Sequence, residues 1–235
     1  MNLFYSIDIN NEMILLSEDE SHHCMHVLRN NIDDNIIIFD GKGREYICRI
    51  IDFHKKQVRA QIINSKIFTK NFNYTHLIIS PIKSQDRIEW LIEKSIEIGV
   101  DRISFIKTER TERNKLNINR INKIAISAMK QSRQHYLPTI DDISPFYSLL
   151  KTINKNQLFI AHLNNVKTKH LAELYTPGES SCILIGPEGD FSNSEVDNAV
   201  NLKFIPVSLG SSILRTETAA IYALSTINIL NESRS

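Results

Sequence analysis

Two glycine-bearing segments near the C-terminus hold the residues whose types and spacing could do chemistry. The first is Ile183-Leu-Ile-Gly186-Pro187-Glu188-Gly189-Asp190-Phe191-Ser192. It leaves an apolar run and enters a helix opened by the capping box Ser192-Asn-Ser-Glu195. The second, Val207-Ser208-Leu209-Gly210-Ser-Ser-Ile213-Leu214-Arg215-Thr216-Glu217-Thr218-Ala219, repeats the arrangement 24 residues later. Glycine at the end of a strand lets backbone N–H and C=O groups approach a ligand closely. Neither segment is G-x-G-x-x-G or G-x-x-x-x-G-K-[ST], which disfavours dinucleotide and triphosphate cradles. Singly each reads as an ordinary turn; ending adjacent strands of one sheet, the pair would converge on a single pocket. Other candidates are weaker. His22 and His26 stand at i, i+4 but no third ligand is evident nearby, so no metal is expected. Cys182 lies inside an apolar strand and reads as packing, no G-x-S-x-G elbow is present, and Trp90 reads as core or interface.

These loops need strands and helices to hold them, and the hydrophobic rhythm supplies both. Residues 1–71 read mainly as short strands: Asn35 to Phe39 ending in the turn Asp40-Gly41-Lys42-Gly43, then Tyr46 to Phe53 and Val58 to Phe68. One helix interrupts them, with Ser17-Glu-Asp-Glu20 as a capping box and His22 to Leu28 completing its turns. This describes a small β-barrel or half-barrel, with Lys70-Asn71-Phe72-Asn73 as its boundary. Residues 72–235 alternate strand and helix. Strand His76 to Ile82 precedes a helix from Ser84 whose Ile88, Leu91, Ile92, Ser95 and Ile96 share one face, closed by Gly99. Strand Arg102 to Lys107, a basic helix over 117–134, strand Gln157 to Leu163 and a helix near 167–175 continue the series. Strand Ser181 to Ile185, a helix after Ser192, strand Phe204 to Leu209 and a helix from Thr216 complete it. Such alternation predicts an α/β fold, a parallel sheet with helices on both faces and its ligand at the carboxyl ends of the strands.

At 235 residues the chain fits one large domain or two modest ones, and 42% apolar with 23% charged residues excludes a disordered or fibrous chain. The longest apolar runs are a few residues, far short of the roughly 20 a membrane-spanning helix needs. The first eight residues lack the basic-then-apolar pattern of a signal peptide, and Cys24, Cys48 and Cys182 are widely spaced. A soluble, cytoplasmic protein of a reducing compartment is expected. The net charge of +1 conceals a split. Residues 102–135 hold nine Lys/Arg against two acids, whereas residues 171–235 hold three bases against eight acids. A basic stretch of this density can attract phosphate backbones even in a neutral chain, although it reads equally well as a solvated face.

The two loops, G-P-E-G-x-F-S-x-x-E (Gly186 to Glu195) and L-G-x-x-I-L-R-T-E-T-A (Leu209 to Ala219), resemble the signature loops of the RsmE family. That family comprises 16S ribosomal RNA (uracil-N3)-methyltransferases of the SPOUT superfamily. His23-x-x-x-Val27-Leu28-Arg29, Phe39-Asp-Gly-x-Gly43, Lys83, Glu97-Ile-Gly-Val100 and Gln131-Ser132-Arg133 through Pro138 match in order, so the resemblance spans nearly the whole chain. It implies a PUA-like, RNA-binding barrel followed by a SPOUT domain with a deep trefoil knot near the C-terminus. It further implies S-adenosyl-L-methionine as cofactor, a homodimer without metal, and N3 of a uridine in the decoding region of the small subunit as methyl acceptor. Leu163, Ile185, Gly186, Glu188, Leu209, Gly210 and Leu214 are then the candidate cofactor residues. Arg29, Lys83, Arg110, Arg113 and Arg120 are the candidate RNA contacts.

Methyl transfer to a weakly acidic nitrogen needs in-line placement and a group that tolerates or removes the acceptor's proton. Under the resemblance, Arg133 and Arg215 are the cations that would stabilise charge on the uracil, and Glu217 would orient an arginine or accept the proton. Arg215 and Glu217 could instead form only an ion pair shaping the loop, and Arg133 a phosphate contact. Where the family usually has glycine this chain has Asp33 and Asp190, and Met1 to Asp8 lacks the arginine often found near the start. Two other functions share this pattern: a noncatalytic RNA-binding assembly factor, and a SPOUT methyltransferase acting at a different RNA position, such as a ribose 2′-hydroxyl. Ala219, Ala220, Ala223 and Leu224 of the last helix are expected to allow close approach across a twofold axis. Arg110, Arg113 and Arg120, in a polar Asn-rich stretch, are expected to contribute little to stability.

Overall fold

The computed structural model describes residues 1–54, 57–70, 73–163 and 168–233. The chain forms two compact units, one of Met1–Lys70 with Met129–Leu137 and one of Asn71–Ala128 with Pro138–Ser235. The first is built on β1 (Leu3–Tyr5), β2 (Asp8–Asn10), β3 (Met13–Leu15), β4 (Asn35–Phe39), β5 (Arg44–His54) and β6 (Gln57–Ile67). They form one sheet in the order β1-β4-β5-β6-β3-β2, with β1 and β4 parallel and the other neighbours antiparallel. Alternation puts Ile36 and Ile38, Tyr46, Cys48 and Ile50, and Val58 and Ala60 into one core with Phe4, Ile14 and Leu16. Burial pushes the Cys48 thiol up to about 12, so it packs as an apolar group.

Helix α1 (Glu18–His22) starts at Ser17, whose Oγ accepts from Glu20 N at 3.3 Å. The expected box stops at that half. The Glu20 carboxylate turns away to accept from Tyr5 N and to pair with Lys130. The remaining turns, His23–Val27, are π-helical, and Arg29 follows with φ 54.

Residues 129–137 join this unit through the turn expected at Asp40 to Gly43. Asp40 Oδ1 accepts from Lys42 N and Arg44 N, closing the turn. Gly43 N then donates to His135 O, Leu137 N donates to Gly41 O, and Tyr136 Oη donates to Phe68 O. The His135 ring stacks on Phe68 with centroids 3.5 Å apart. Gly43 has φ +96, and a β-carbon there would lie 2.3 Å from the Tyr136 hydroxyl and 2.8 Å from Phe68 O. Both the conformation and the approach demand glycine.

The second unit is a parallel sheet in the order β12-β10-β11-β7-β8-β9. Its strands are β7 (Thr75–Ile79), β8 (Arg102–Lys107), β9 (Thr139–Pro145), β10 (Gln157–Ala161), β11 (Ser181–Ile185) and β12 (Ile205–Val207). Its helices are α2 (Gln85–Ile98), α3 (Ile118–Ser132), α4 (Phe146–Leu150), α5 (Leu171–Leu174), α6 (Asn193–Asn201) and α7 (Thr216–Glu232), α3 ending within the first unit. On one face Ile78, Ile106, Ile160, Cys182 and Leu184 pack against Phe146 and Leu150 of α4 and Ala199 of α6. On the other, α7 lies on β7 and β11 beside α2 and α5. Helix α2 buries Ile88, Leu91, Ile92, Ser95 and Ile96 and ends at Gly99 in the left-handed conformation, as the spacing predicts.

Several expectations are corrected. Ala220, Ala223 and Leu224 are buried within the chain, so they are not free for a twofold contact. The third strand from the C-terminus ends at Ala161 rather than Leu163. Asn71, Phe72 and Lys167, at the expected boundary and helix start, lie outside the described residues. β9 and α4 are elements that the hydrophobic rhythm does not assign; β9 is an edge strand whose Asp141 is bound by Arg102 Nε and Nη2 of β8 at 2.6 and 3.0 Å. Among the described residues no helix is long and apolar enough to cross a membrane.

That edge carries a polar chain into the core. Ser104 Oγ donates to Asp141, so the His76 Nε2–H donates to Ser104 Oγ, at 2.7 Å. Burial, and then the charge of Arg102, push the His76 pKa from 6.5 down to about 4. Burial alone would raise the Asp141 carboxyl, but hydrogen bonds from Arg102 and Ser104 hold it below the usual range. The folded protein therefore keeps His76 neutral where the unfolded chain protonates it, and stability present above pH 6.5 is lost as pH falls toward 4. Urea denaturation at pH 7 and 4.5 is expected to differ by roughly 2.5 kcal/mol more for the native chain than for His76→Gln. Gly43→Ala is expected to destabilise by about 2–4 kcal/mol in the same measurement at pH 7.

Candidate active site at the strand ends of the second unit

Strands β10, β11 and β12 end in register, with Ala161 paired to both Ile185 and Val207. The two glycine loops therefore do not follow adjacent strands, since β10 lies between them. This corrects the simplest picture and brings Leu163, just past β10, between the two loops.

The loop after β11 is held from several sides. Ile185 is buried and its carbonyl accepts from Ser80 N, past the end of β7, at 3.1 Å. A β-carbon on Gly186 would stand 3.0 Å from the Phe191 ring, so Gly186 makes room for Phe191. Glu188 is exposed. Asp190 has φ 61; its Oδ1 accepts from Phe191 N and its Oδ2 from Leu163 N, at 2.8 and 2.9 Å. The capping box forms as expected: Ser192 Oγ accepts from Glu195 N while Glu195 Oε2 accepts from Ser192 N. Glu195 is also 2% exposed and accepts from Glu109 N at 2.8 Å, tying α6 to the loop after β8.

The loop after β12 is more open. Ser208 Oγ accepts from Gly210 N at 3.1 Å, and Gly210 has φ +116 with no atom within 4 Å of where a β-carbon would stand. Leu209 and Leu214 are half-buried, while Leu163 and Ile213 are exposed. Arg215 is the exposed N-cap of α7. Glu217 is buried, yet it pairs with Arg87 of α2, at 3.5 Å, and its Oε2 is buried without a hydrogen-bond partner among the described residues. Glu217 thus pairs with Arg87 and not, as in the alternative reading, with Arg215; no pattern in the sequence signals this, because α2 lies over a hundred residues away in the chain.

The basic segment belongs to this same end of the sheet. Arg110 Nη1 donates to Gly189 O at 2.6 Å. Arg113, half-buried, donates to Lys83 O, Lys115 O and Gln85 Oε1. Lys83 pairs with Glu112 at 2.8 Å, and Arg120 binds Glu89 through two nitrogens. The hydroxyls of Ser80, Thr108 and Thr111 join in one network beneath them. Arg29 and Arg133, with φ 54 each and both exposed, belong to the first unit. His162 Nε2, beside Leu163, is buried without a hydrogen-bond partner among the described residues, a feature no sequence pattern signals. Among the described residues no cluster of His, Cys, Asp or Glu could hold a metal.

Residues 16–63 match the family model of the RNA methyltransferase PUA domain, and residues 70–228 that of the RNA methyltransferase domain. The chain is 31% identical over 229 residues to the ribosomal RNA small subunit methyltransferase E of Buchnera aphidicola from Acyrthosiphon pisum, covering 94% of this chain and 89% of that one. It belongs to the ribosomal RNA small subunit methyltransferase E family. In structure it is similar to the "probable rRNA-methyltransferase" of Porphyromonas gingivalis, with TM-score 0.92 and 35% identity over all of both chains. It is also similar to the family enzyme of Neisseria gonorrhoeae bound to S-adenosyl methionine, with TM-score 0.87 and 28% identity over 98% of each chain. This RNA methyltransferase accordingly carries its two glycine loops, Leu163 and the basic loop at one end of one sheet.

The internal partners of the arginines alter what their loss should do. Arg113→Ala is expected to cost about 1–2 kcal/mol in a denaturation midpoint, because three acceptors lose a charged donor. Arg120→Ala, on an exposed pair, is expected to leave the melt unchanged. If Arg120 also meets phosphate, its loss flattens the salt slope of small-subunit binding by roughly 1; a gel-shift salt titration reads this directly.

Proposed function

We propose that this chain transfers the methyl group of S-adenosyl-L-methionine to N3 of a uridine in the decoding region of 16S ribosomal RNA in the small subunit. The observation that carries the reading is the bond from Arg110 to Gly189 O, which makes the basic loop and a glycine loop one surface. A phosphate-attracting element beside a ligand-binding loop suits an enzyme of two substrates, one a polyanion.

The residues present fit the cofactor. Gly210 leaves its backbone open on the side where a β-carbon would stand, and Leu163, Leu209 and Leu214 offer partly exposed apolar walls. Ile185, Gly186 and Glu188 would complete the other wall. Bound there, S-adenosylmethionine supplies an activated methyl group. The protein's part is to hold the uracil in line and to stabilise its deprotonated form. Arg215, at the start of α7, and Arg133 are the cations we assign to that task. Glu217 is held by Arg87, and its unpartnered oxygen keeps it the candidate proton acceptor.

We further infer that residues 1–71 act as an RNA-binding PUA-like barrel and residues 72–235 as the SPOUT domain, with a trefoil knot near the C-terminus. Arg29 and Lys83 join the RNA-binding set. The chain is inferred to work as a cytoplasmic homodimer, with the exposed Trp90, Tyr222 and Ile229 as apolar contact surface in place of the buried alanines.

The test is mass analysis of 16S ribosomal RNA from a strain lacking this chain. Loss of methylation at one uracil N3 is the expected result, loss at a ribose hydroxyl points to another acceptor, and unchanged methylation points to the assembly-factor reading. Gly210→Val is expected to weaken S-adenosylmethionine binding at least tenfold by calorimetry. The cause is the φ of +116, which a branched residue resists, rather than a clash.

A further inference from the structure

We propose that Asp190 is a positioning residue for the cofactor, its carboxylate fixing the loop after β11 to the end of β10. The proposal rests on the reading of this site as an S-adenosylmethionine site. Sheet pairing ends at Ala161, so Leu163 lies beyond the reach of the ladder. Its N–H is held instead by Asp190 Oδ2 at 2.9 Å. The other oxygen accepts from Phe191 N at 2.8 Å, and Asp190 N donates to Pro187 O at 3.0 Å. The carboxylate therefore bonds two backbone donors, one local and one 27 residues away.

The backbone shows that this arrangement has a cost. Asp190 sits at φ 61, where a side chain is disfavoured and glycine is at ease. A glycine would relieve that cost and lose both carboxylate bonds. Keeping aspartate there is explained by what the bonds hold. Leu163 lies just past β10, 59% exposed, and Gly189, the residue before Asp190, is held through its carbonyl by Arg110. Gly189 and Asp190 are thus each bonded to another segment, and the separation between Leu163 and the glycine loop is set before a ligand arrives. A preformed site avoids the ordering cost on binding.

The experiment compares full-length wild type, Asp190→Gly and Asp190→Asn. S-adenosylmethionine affinity is measured by calorimetry, melting is measured without ligand, and rates are measured on small ribosomal subunits. Asp190→Gly is expected to weaken cofactor affinity roughly tenfold and to raise KM for the cofactor in step, the factor expected from losing charged hydrogen bonds that preorganise the site. Its kcat should stay within about twofold, and its melting should hardly move, because relief at φ 61 offsets the lost bonds. Asp190→Asn retains one acceptor oxygen and should lose about threefold. Wild-type affinity in the glycine variant overturns the proposal. So does a parallel fall of melting temperature, kcat and affinity with no rescue by asparagine, which would make the role one of stability alone. Absence of cofactor binding by the wild type overturns the site reading itself, and this proposal with it.

Discussion

Hydrogen bonds from side chains to backbone groups hold the carboxyl end of the second unit together. The loop after β11 is restrained from its edges. Glu195 reaches Ser192 N and Glu109 N, Arg110 reaches Gly189 O, and Asp190 reaches Leu163 N. Apart from the Glu195–Ser192 capping bond, each joins a side chain to a backbone group of another segment. Ser80 N on Ile185 O anchors the point where the loop leaves the sheet. Elements far apart in sequence, after β7, β8, β10 and β11, become one frame.

The same economy of contact appears in the first unit. The Asp40–Gly43 turn is closed by one aspartate, and its glycine at 43 lets Tyr136 and the carbonyl of Phe68 approach to distances no β-carbon permits. His135 stacks on Phe68, and Lys130 meets Glu20 with both side chains mostly buried. The segment 129–137 carries Arg133; the turn fixes the backbone just after that residue, and the Lys130–Glu20 pair holds the chain before it. A glycine pattern that reads as a bare hairpin thereby explains where a distant segment rests.

Periodicity made α2, β4, β8, β11 and the start of α7 legible to within a residue or two, because each buries an unmistakable face. β9 was not legible: two aspartates in seven residues argue for a loop, and only Arg102, on a neighbouring strand, makes the strand tenable. The π-helical turn at His23–Val27 buries only Cys24 and so leaves no distinctive mark in the sequence. The candidate loops were legible as loops, but the strand between them was not, since strand order is no property of a local pattern. Charge was legible only as a sum. That Arg110, Arg113 and Arg120 hold protein acceptors depends on which loops meet, which composition does not encode.

Holding those acceptors does not remove the arginines from a role with RNA. A guanidinium has five N–H donors, and Arg110 gives one nitrogen to Gly189 O. The remaining donors sit on an exposed side chain whose direction is already fixed, which lowers the entropy lost when an anion is met. A lysine in that place could bond the carbonyl but would lack the rigid fork that leaves the rest aimed outward. The bond that steadies the glycine loop thus also presents a preorganised cation beside it, and the glycine loop and the basic loop are made rigid by the same contact.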